Sequence, residues 1–241
     1  MGFKSAFVNI IGKPNAGKST LLNALLGEKI TIVSPKAQTT RHRLHGIMQS
    51  ENYQIILSDT PGIVEDPKYK LHDRMNAFVQ EACDDADILL YVMDSARKID
   101  TDFEWIKRLN EVNEQFFVLL NKIDLAGEAK MNELVDQLSA FLNKNQIVPI
   151  SAIHKFNIEN LKQLLINSAP EHPPFYPEDQ LTDKSERFIA SEIIREQIYL
   201  LYYEEFPYSC EVEVQQFKQE DEIIKMLPDT VATRKSQTPL T

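Results

Sequence analysis

The sequence predicts an α/β fold: a mostly parallel sheet with helices on both faces, followed by a smaller α+β unit. Three observations carry this. Apolar runs of strand length alternate with helical stretches from Ala6 to Asn167, the pattern of parallel strands joined by helical crossovers. A glycine-rich loop, Gly12-Lys13-Pro14-Asn15-Ala16-Gly17-Lys18-Ser19-Thr20, falls between the first strand and the first helix. A proline-rich stretch at 170–177 (PEHPPFYP) then separates this series from the C-terminal residues.

The loop fits G-x-x-x-x-G-K-[ST] without a gap. Ala6 to Ile11 (AFVNII) precedes it as a buried strand, and Thr20 to Leu26 (TLLNALL) comes after it with leucines at helical spacing. That context gives the motif its meaning. Glycines let backbone N–H groups curl inward toward phosphate oxygens, and the helix points its positive end at the same anion. Lys18 is placed to reach the β- and γ-phosphates, and the Ser19 hydroxyl to bind Mg²⁺. Gly27 ends the helix as a C-cap.

Residues 30–43 (ITIVSPKAQTTRHR) turn polar and read as a loop. Two short strands come next, Gly46–Met48 and Tyr53–Ser58, with a turn over 49–52. The second runs into Asp59-Thr60-Pro61-Gly62. A carboxylate at the end of a strand, followed by a glycine that frees its N–H, can serve the metal side and the γ-phosphate. Leu71 to Cys83 reads as a helix, Asp84, Asp85 and Asp87 as a solvated corner, and Ile88–Met93 as a strand covered on both faces. Asp102–Asn113 reads as a helix with Phe103, Ile106 and Leu109 inward and Trp105 packing. Gln115–Leu120 is the next buried strand.

That strand delivers Asn121-Lys122-Ile123-Asp124. The Asp124 carboxylate can accept from guanine N1–H and its 2-amino group, where adenine offers no donors. Lys122 would lie along the base, and Asn121 would tie this loop to the phosphate loop. Met131–Leu142 reads as an amphipathic helix. Gln146–Ile150 is the last strand and delivers Ser151-Ala152, where the Ala152 N–H can meet guanine O6. Ile158–Asn167 closes the series. The domain limits expected are 1–169 for the nucleotide domain, 170–183 for a stiff linker, and 184–241 for the smaller unit. In that unit Lys184–Glu205 reads as one helix stopped by Pro207, Cys210–Phe217 as a half-exposed strand, Glu222–Met226 as the start of a second apolar stretch before Pro228, and 227–241 as a tail without period.

Composition narrows the setting. Net charge is −10 with pI ≈ 5.1, so the overall field gives no non-specific attraction to nucleic acid. Cys83 and Cys210 form no C-x-x-C and suit a reducing, cytosolic setting. The N-terminal apolar run is too short for a signal peptide, Ala6 breaks the myristoylation pattern, and no run has transmembrane length. His42 and His45 have no ligand partners beside them in sequence.

GKPNAGKS, the Thr39-Thr40 loop, DTPG, NKID and SA, in that order, resemble the translation-factor class of regulatory GTPases. KAQTTRHR, VPISA and the post-linker run TDKSERFIASEIIREQI closely resemble the Era family, bacterial GTPases of small-subunit maturation. The resemblance spans residues 1 to about 226. It implies binding and hydrolysis of GTP to GDP with Mg²⁺, and Thr40 as the switch threonine on the metal and γ-phosphate. Lys18, Thr40 and Gly62 become the catalytic set, with Ser19, Thr40 and Asp59 on the metal side. It implies a C-terminal KH domain, the 16S rRNA 3′ end and the 30S subunit as partners, and a cytoplasmic place with peripheral membrane association as an option. Asn15 stands where relatives with an apolar residue after DTPG carry an asparagine able to bind K⁺. Here that apolar residue is Ile63, which cannot orient water by hydrogen bonding.

The C-terminal unit departs from the family. Gly127 is the last glycine, so no GxxG loop comes after the linker, and fifteen acidic residues face seven basic ones from Glu171 onward. RNA binding by residues 184–241 is therefore expected to be weak. The ending LPDTVATRKSQTPLT suits a truncated or frame-shifted KH unit. Its helix should leave Phe188, Ile189, Ile193, Ile194, Ile198 and Leu201 partly uncovered, and the unit less stable than residues 1–168. An ATPase or small-molecule kinase would share the phosphate loop but not NKID and SA.

Asp124→Asn should move base preference from guanine toward xanthine, because an amide donates where the carboxylate accepts. Titration with GDP and XDP checks this. A variant that binds GDP as tightly as wild type and ignores XDP removes Asp124 from the base site.

Overall fold

The computed structural model describes residues 2–34, 36, 39–60, 62, 85–97, 102–202, 210–220 and 223–232. The helix expected over 71–83, Cys83, Asp84, Pro61 and Ile63 lie outside these residues.

Six strands form one sheet: β1 (Lys4–Ile11), β2 (Leu44–Ser50), β3 (Tyr53–Asp59), β4 (Ile88–Asp94), β5 (Phe116–Asn121) and β6 (Ile147–Pro149), in the order β2-β3-β1-β4-β5-β6. All neighbours are parallel except the β2–β3 hairpin. The helices are α1 (Lys18–Leu26), α2 (Asp102–Val112), α3 (Glu128–Ser139), α4 (Ile158–Ser168) and α5 (Glu186–Leu201). Alternate residues of each central strand feed two separate cores. Val8, Ile10, Leu90, Val92 and Leu119 pack with α1 and α4, while Ile11, Tyr91, Met93, Val118 and Leu120 pack with α2 and α3. This is the period of two expected of a strand, with both faces apolar because both are covered. Ile106 and Leu109 are buried, with Phe103 and Trp105 packed beside them.

α3 begins a turn before the predicted Met131 and ends before Leu142. Gly127 in extended conformation starts it, and Leu142 is buried beyond its end. The expected strand at Gln146 is shortened because Lys144–Gln146 form a 3-10 turn closed by an Asn143–Gln146 capping box.

The proline-rich segment is not a free spacer. Its backbone bonds to Phe3 and Ser5 near β1, and Gln54 accepts from the N–H groups of Phe175 and Tyr176 at 2.7 and 2.9 Å. Farther on, Ile47 donates to the Leu181 carbonyl at 2.9 Å, so the strap covers the outer edge of β2. An edge strand otherwise presents a row of unpaired backbone groups.

Ser185 caps α5, accepting from the Phe188 N–H at 3.3 Å. The helix ends at Leu201, six residues before Pro207. Lys36 Nζ binds the carbonyls of Tyr199 and Tyr202 and so satisfies the C-terminal turn from outside. β7 (Cys210–Glu220) pairs with β8 (Ile223–Ala232), an antiparallel two-stranded sheet. Residues 227–232, expected to be without structure, are therefore strand. Pro228 is accommodated because it pairs opposite Val214, where a register shift interrupts the ladder. Along β7, Cys210, Val212 and Val214 are buried and Glu211 and Glu213 exposed, until the same shift breaks the alternation. α5 buries Ala190, Arg195, Glu196 and Tyr199, while Ile193 and Leu201 are 47% and 68% exposed. The helix thus turns polar side chains toward the nucleotide domain and leaves Ile193 and Leu201 of its apolar stripe uncovered, with Phe188, Ile189, Ile194 and Ile198 half-buried.

Candidate nucleotide site

The predicted site residues meet at the carboxyl ends of β1, β3, β5 and β6. A cleft of about 400 Å³ is lined by Pro14, Asn15, Gly17, Lys18, Ser19, Thr20, Thr40, Gly62 and Lys122, among others. Gly12 and Gly17 take φ values of 145° and 101°. A Cβ on Gly17 would stand 2.3 Å from Asn121 Nδ2, and one on Gly12 would stand 2.4 Å from the Val92 carbonyl oxygen. Gly62 lies against Pro14, where a Cβ would come within 2.8 Å of the Pro14 nitrogen. Close approach and left-handed backbone together require glycine in this loop.

Lys18 is 6% exposed, and its Nζ donates to the carbonyls of Gly12 and Lys13, both at 3.0 Å. Burial lowers its pKa from 10.5 to about 8, against the pull of the Asp59 carboxylate. The loop therefore holds a lysine that an incoming anion would keep charged.

Ser19, Thr40 and Asp59 converge from three segments. Ser19 Oγ donates to Asp59 Oδ2 at 2.7 Å and lies 3.0 Å from Thr40 Oγ1, which is 3.3 Å from the same carboxylate oxygen. Asp59 is fully buried, its Oδ1 has no hydrogen-bond partner, and desolvation raises its pKa. A buried carboxylate with an orphaned oxygen beside two hydroxyls is a hard, all-oxygen donor set, which suits Mg²⁺. Among the described residues there is no cluster of three or more His, Cys, Asp or Glu able to hold a metal. Mg²⁺ characteristically keeps waters and substrate phosphates in its shell instead. His42 and His45 lie against Phe188 and Phe7, and burial lowers the pKa of both.

Asn121 organises the base side. Its Nδ2 donates to the Ala16 carbonyl at 2.8 Å, and its Oδ1 accepts from the Ala152 N–H at 3.0 Å. The Ala152 N–H, expected to face guanine O6, is engaged by this bond, because the 2% exposed Asn121 side chain needs a donor. Ser151 Oγ donates to Asp124 Oδ1 at 2.6 Å and so orients the carboxylate. Lys122, at φ 63°, sends its Nζ to the Asn15 carbonyl and to Asp94 Oδ2, each at 2.7 Å. Asn15 itself sits at φ 64°. Left-handed backbone costs roughly 1–2 kcal/mol per non-glycine residue. Here the Lys122 bridge holds both residues in that conformation.

Sequence reasoning missed Asp94, Arg97 and Ile153. Asp94 ends β4 as Asp59 ends β3, and that shared position was the available signal. Arg97 and Ile153 line the cleft but carry no motif. It read α5 as a helix but missed its part in this site: Arg195 Nη1 donates to the Thr39 carbonyl at 2.7 Å.

A phosphate loop on a mostly parallel sheet, with a metal-side carboxylate and a guanine-type base loop in this order, defines a P-loop GTPase. A family model described as "50S ribosome-binding GTPase" matches residues 7–122. The GTPase Era of Clostridium botulinum (strain Hall) is 43% identical over 220 residues, 91% of this chain and 74% of that protein. A crystal structure of Era in complex with MgGDPNP and nucleotides 1506–1542 of 16S ribosomal RNA superposes with TM-score 0.86 at 36% identity, covering 97% of this chain and 80% of that one. A point variant of Aquifex aeolicus Era bound to GDP·AlF4− gives TM-score 0.86 at 34% identity over the same shares. The chain belongs to the Era GTPase family and is a GTP-binding hydrolase.

Lys18 sets the pH dependence. An anion in the loop restores the charge, so GDP binding should take up a proton above pH 8 and weaken by up to about tenfold per pH unit from there. In the empty fold the sign is opposite. The folded pKa lies below the unfolded one, so stability rises with pH between about 8 and 10.5. Calorimetry of GDP binding in buffers of different ionisation enthalpy, at pH 6.5 and 8.5, checks the first effect. Equal proton uptake at both would contradict it.

Proposed function

We propose that this GTPase works as a Mg²⁺-dependent switch in assembly of the small ribosomal subunit. The observation that carries the nucleotide part is the Asn121 side chain, which joins the phosphate loop to the Ser151-Ala152 loop and so aligns phosphate and base pockets. Gly12 to Thr20 cradle the phosphates, and Asp124, oriented by Ser151, reads the guanine edge. The assembly part rests on family membership and on the rRNA-bound relative.

In the reaction, water attacks the γ-phosphorus in line and the bond to the β–γ bridging oxygen breaks, leaving GDP and inorganic phosphate. Lys18 Nζ and the loop N–H groups stabilise charge on the phosphate oxygens. The Gly62 N–H, held against Pro14, donates to the γ-phosphate. Ser19 and Thr40 would hold Mg²⁺ with Asp59 behind them, and the ion would neutralise negative charge on the nucleotide's phosphates. The Asp59 carboxylate, whose Oδ1 has no hydrogen-bond partner, would supply the acceptor behind these two hydroxyls.

A monovalent cation held by Asn15 would give the positive charge supplied elsewhere by an arginine finger. GTP hydrolysis should then be faster in K⁺ than in Na⁺ at matched ionic strength, and Asn15→Ala should erase the difference. Equal rates for wild type in the two salts remove this role from Asn15.

Residues 184–241 carry no GxxG loop, so their own grip on RNA is weak. Glu211 and Glu213 are exposed on β7, and no glycine comes after Gly127 to let phosphates approach backbone. We place the switch in the cytoplasm, on the 30S subunit, with residues 184–241 adding little to the grip on the 16S rRNA 3′ end. Peripheral contact with the inner membrane face remains a family expectation, and no helix among the described residues is long and apolar enough to cross a membrane. Titration of an rRNA 3′-end oligonucleotide near physiological salt should give affinity weaker than micromolar. Sub-micromolar binding lost on removal of residues 184–241 would overturn this view of the C-terminal unit.

A further inference from the structure

The loop that carries Thr40 is held from beyond the linker. Arg195 of α5 is 3% exposed, and its Nη1 donates to the Thr39 carbonyl at 2.7 Å. The Nε donates to Glu192 Oε1 at 2.8 Å, and Nη2 reaches the other oxygen of that carboxylate. Planar guanidinium geometry allows this division of labour: one edge grips a carboxylate and the remaining N–H serves a carbonyl. Glu192, Thr40 and Asp59 border a common void of about 10 Å³, so the carboxylate that Arg195 grips faces the metal-side residues across it.

The rest of the loop is tied to the same helix. Glu196, 3% exposed, accepts from the Val33 N–H at 3.0 Å and from Lys29 Nζ at 2.6 Å. Arg41 donates to the Tyr199 hydroxyl at 3.0 Å and to the Cys210 carbonyl at 2.9 Å. The contact at Thr39 differs in kind. Its carbonyl and the Thr40 N–H belong to one planar peptide, so holding the oxygen sets the plane from which Thr40 departs. Thr40 Oγ1 is thereby held 3.0 Å from Ser19 Oγ.

We propose that Arg195 is a positioning residue for the triphosphate state: its bond to the Thr39 carbonyl presents Thr40 to the metal and γ-phosphate. This rests on the guanine-nucleotide reading above and extends it to a residue outside the nucleotide domain. GDP lacks the γ-phosphate, so its binding does not draw on Thr40 in this way. Loss of Arg195 therefore discriminates between the two nucleotides.

The test uses the full chain and labelled GDP and GDPNP at fixed Mg²⁺. Arg195→Met should lower GDPNP affinity about tenfold, the scale of one charge-assisted hydrogen bond, with GDP affinity unchanged. Turnover of GTP should fall with it. Arg195→Met also leaves Glu192 unpaired near Asp59, so Arg195→Met is repeated with Glu192→Gln. The same loss in the double variant supports positioning, and recovery of GDPNP binding there overturns it in favour of a charge effect. Should Arg195→Met fail to fold, judged by melting with GDP, Arg195→Lys decides. Lysine is shorter and carries its donors on one nitrogen, whereas Arg195 uses Nε and Nη2 for Glu192 and Nη1 for the Thr39 carbonyl, so it too must lower GDPNP binding selectively. Equal loss of both nucleotides, or no loss of either, overturns the proposal. Wild type that binds neither nucleotide overturns the underlying site reading along with it.

Discussion

The buried amide of Asn121 is the interaction on which the rest of the site depends. It sits at the end of β5, 2% exposed, and its two halves bond to Ala16 and Ala152, 105 and 31 residues away in sequence. A buried amide must satisfy both its donor and its acceptor. That requirement fixes where the phosphate loop and the last loop of the sheet stand relative to each other. Gly17 is a consequence of it, because any Cβ there would collide with the same amide. Lys122, next in sequence, adds a second tie to the phosphate loop through the Asn15 carbonyl. Base and phosphate pockets are thus aligned through side chains that themselves belong to the base loop.

The metal side is built differently. Ser19, Thr40 and Asp59 come from a helix, a loop and a strand, and two of the three are anchored by regular structure. Thr40 is not. Its loop leans on α5 through Arg195, Glu196 and Tyr199, on Tyr202 just past the helix, and on β7 through the Cys210 carbonyl. The consequence is that α5 spends its polar face on the nucleotide domain. Burying Arg195 and Glu196 is tolerable only because each meets charged or backbone partners there. The apolar stripe with Ile193, Leu200 and Leu201 then faces outward, and a two-stranded sheet covers only part of the unit.

Much of this was legible in order along the chain. GKPNAGKST, DTPG, NKID and SA each carry local chemistry that requires particular residues, and their flanking strands show an unbroken apolar run because both sheet faces are covered. The uncovered stripe of α5 was also readable from helical spacing. Less legible were the helix ends, which were decided by partners distant in sequence: Lys36 closes α5 well short of Pro207. β8 was legible only as an apolar stretch over 222–226, because Pro228 reads as a strand breaker until Val214 and the register shift are seen opposite it.

By itself the sequence determined the fold class, the order of the sheet-forming runs and the identity of the nucleotide loops, because glycine, lysine and carboxylate at fixed spacing act through neighbouring backbone. Only the tertiary structure decided that the Ala152 N–H serves Asn121, that Asp94 pairs with Lys122, and that the proline-rich strap seals β2. It also decided that the loop bearing Thr40 is held by Arg195. These are bonds across separations of 28 to 156 residues, and no local pattern encodes which distant donor a buried acceptor will find.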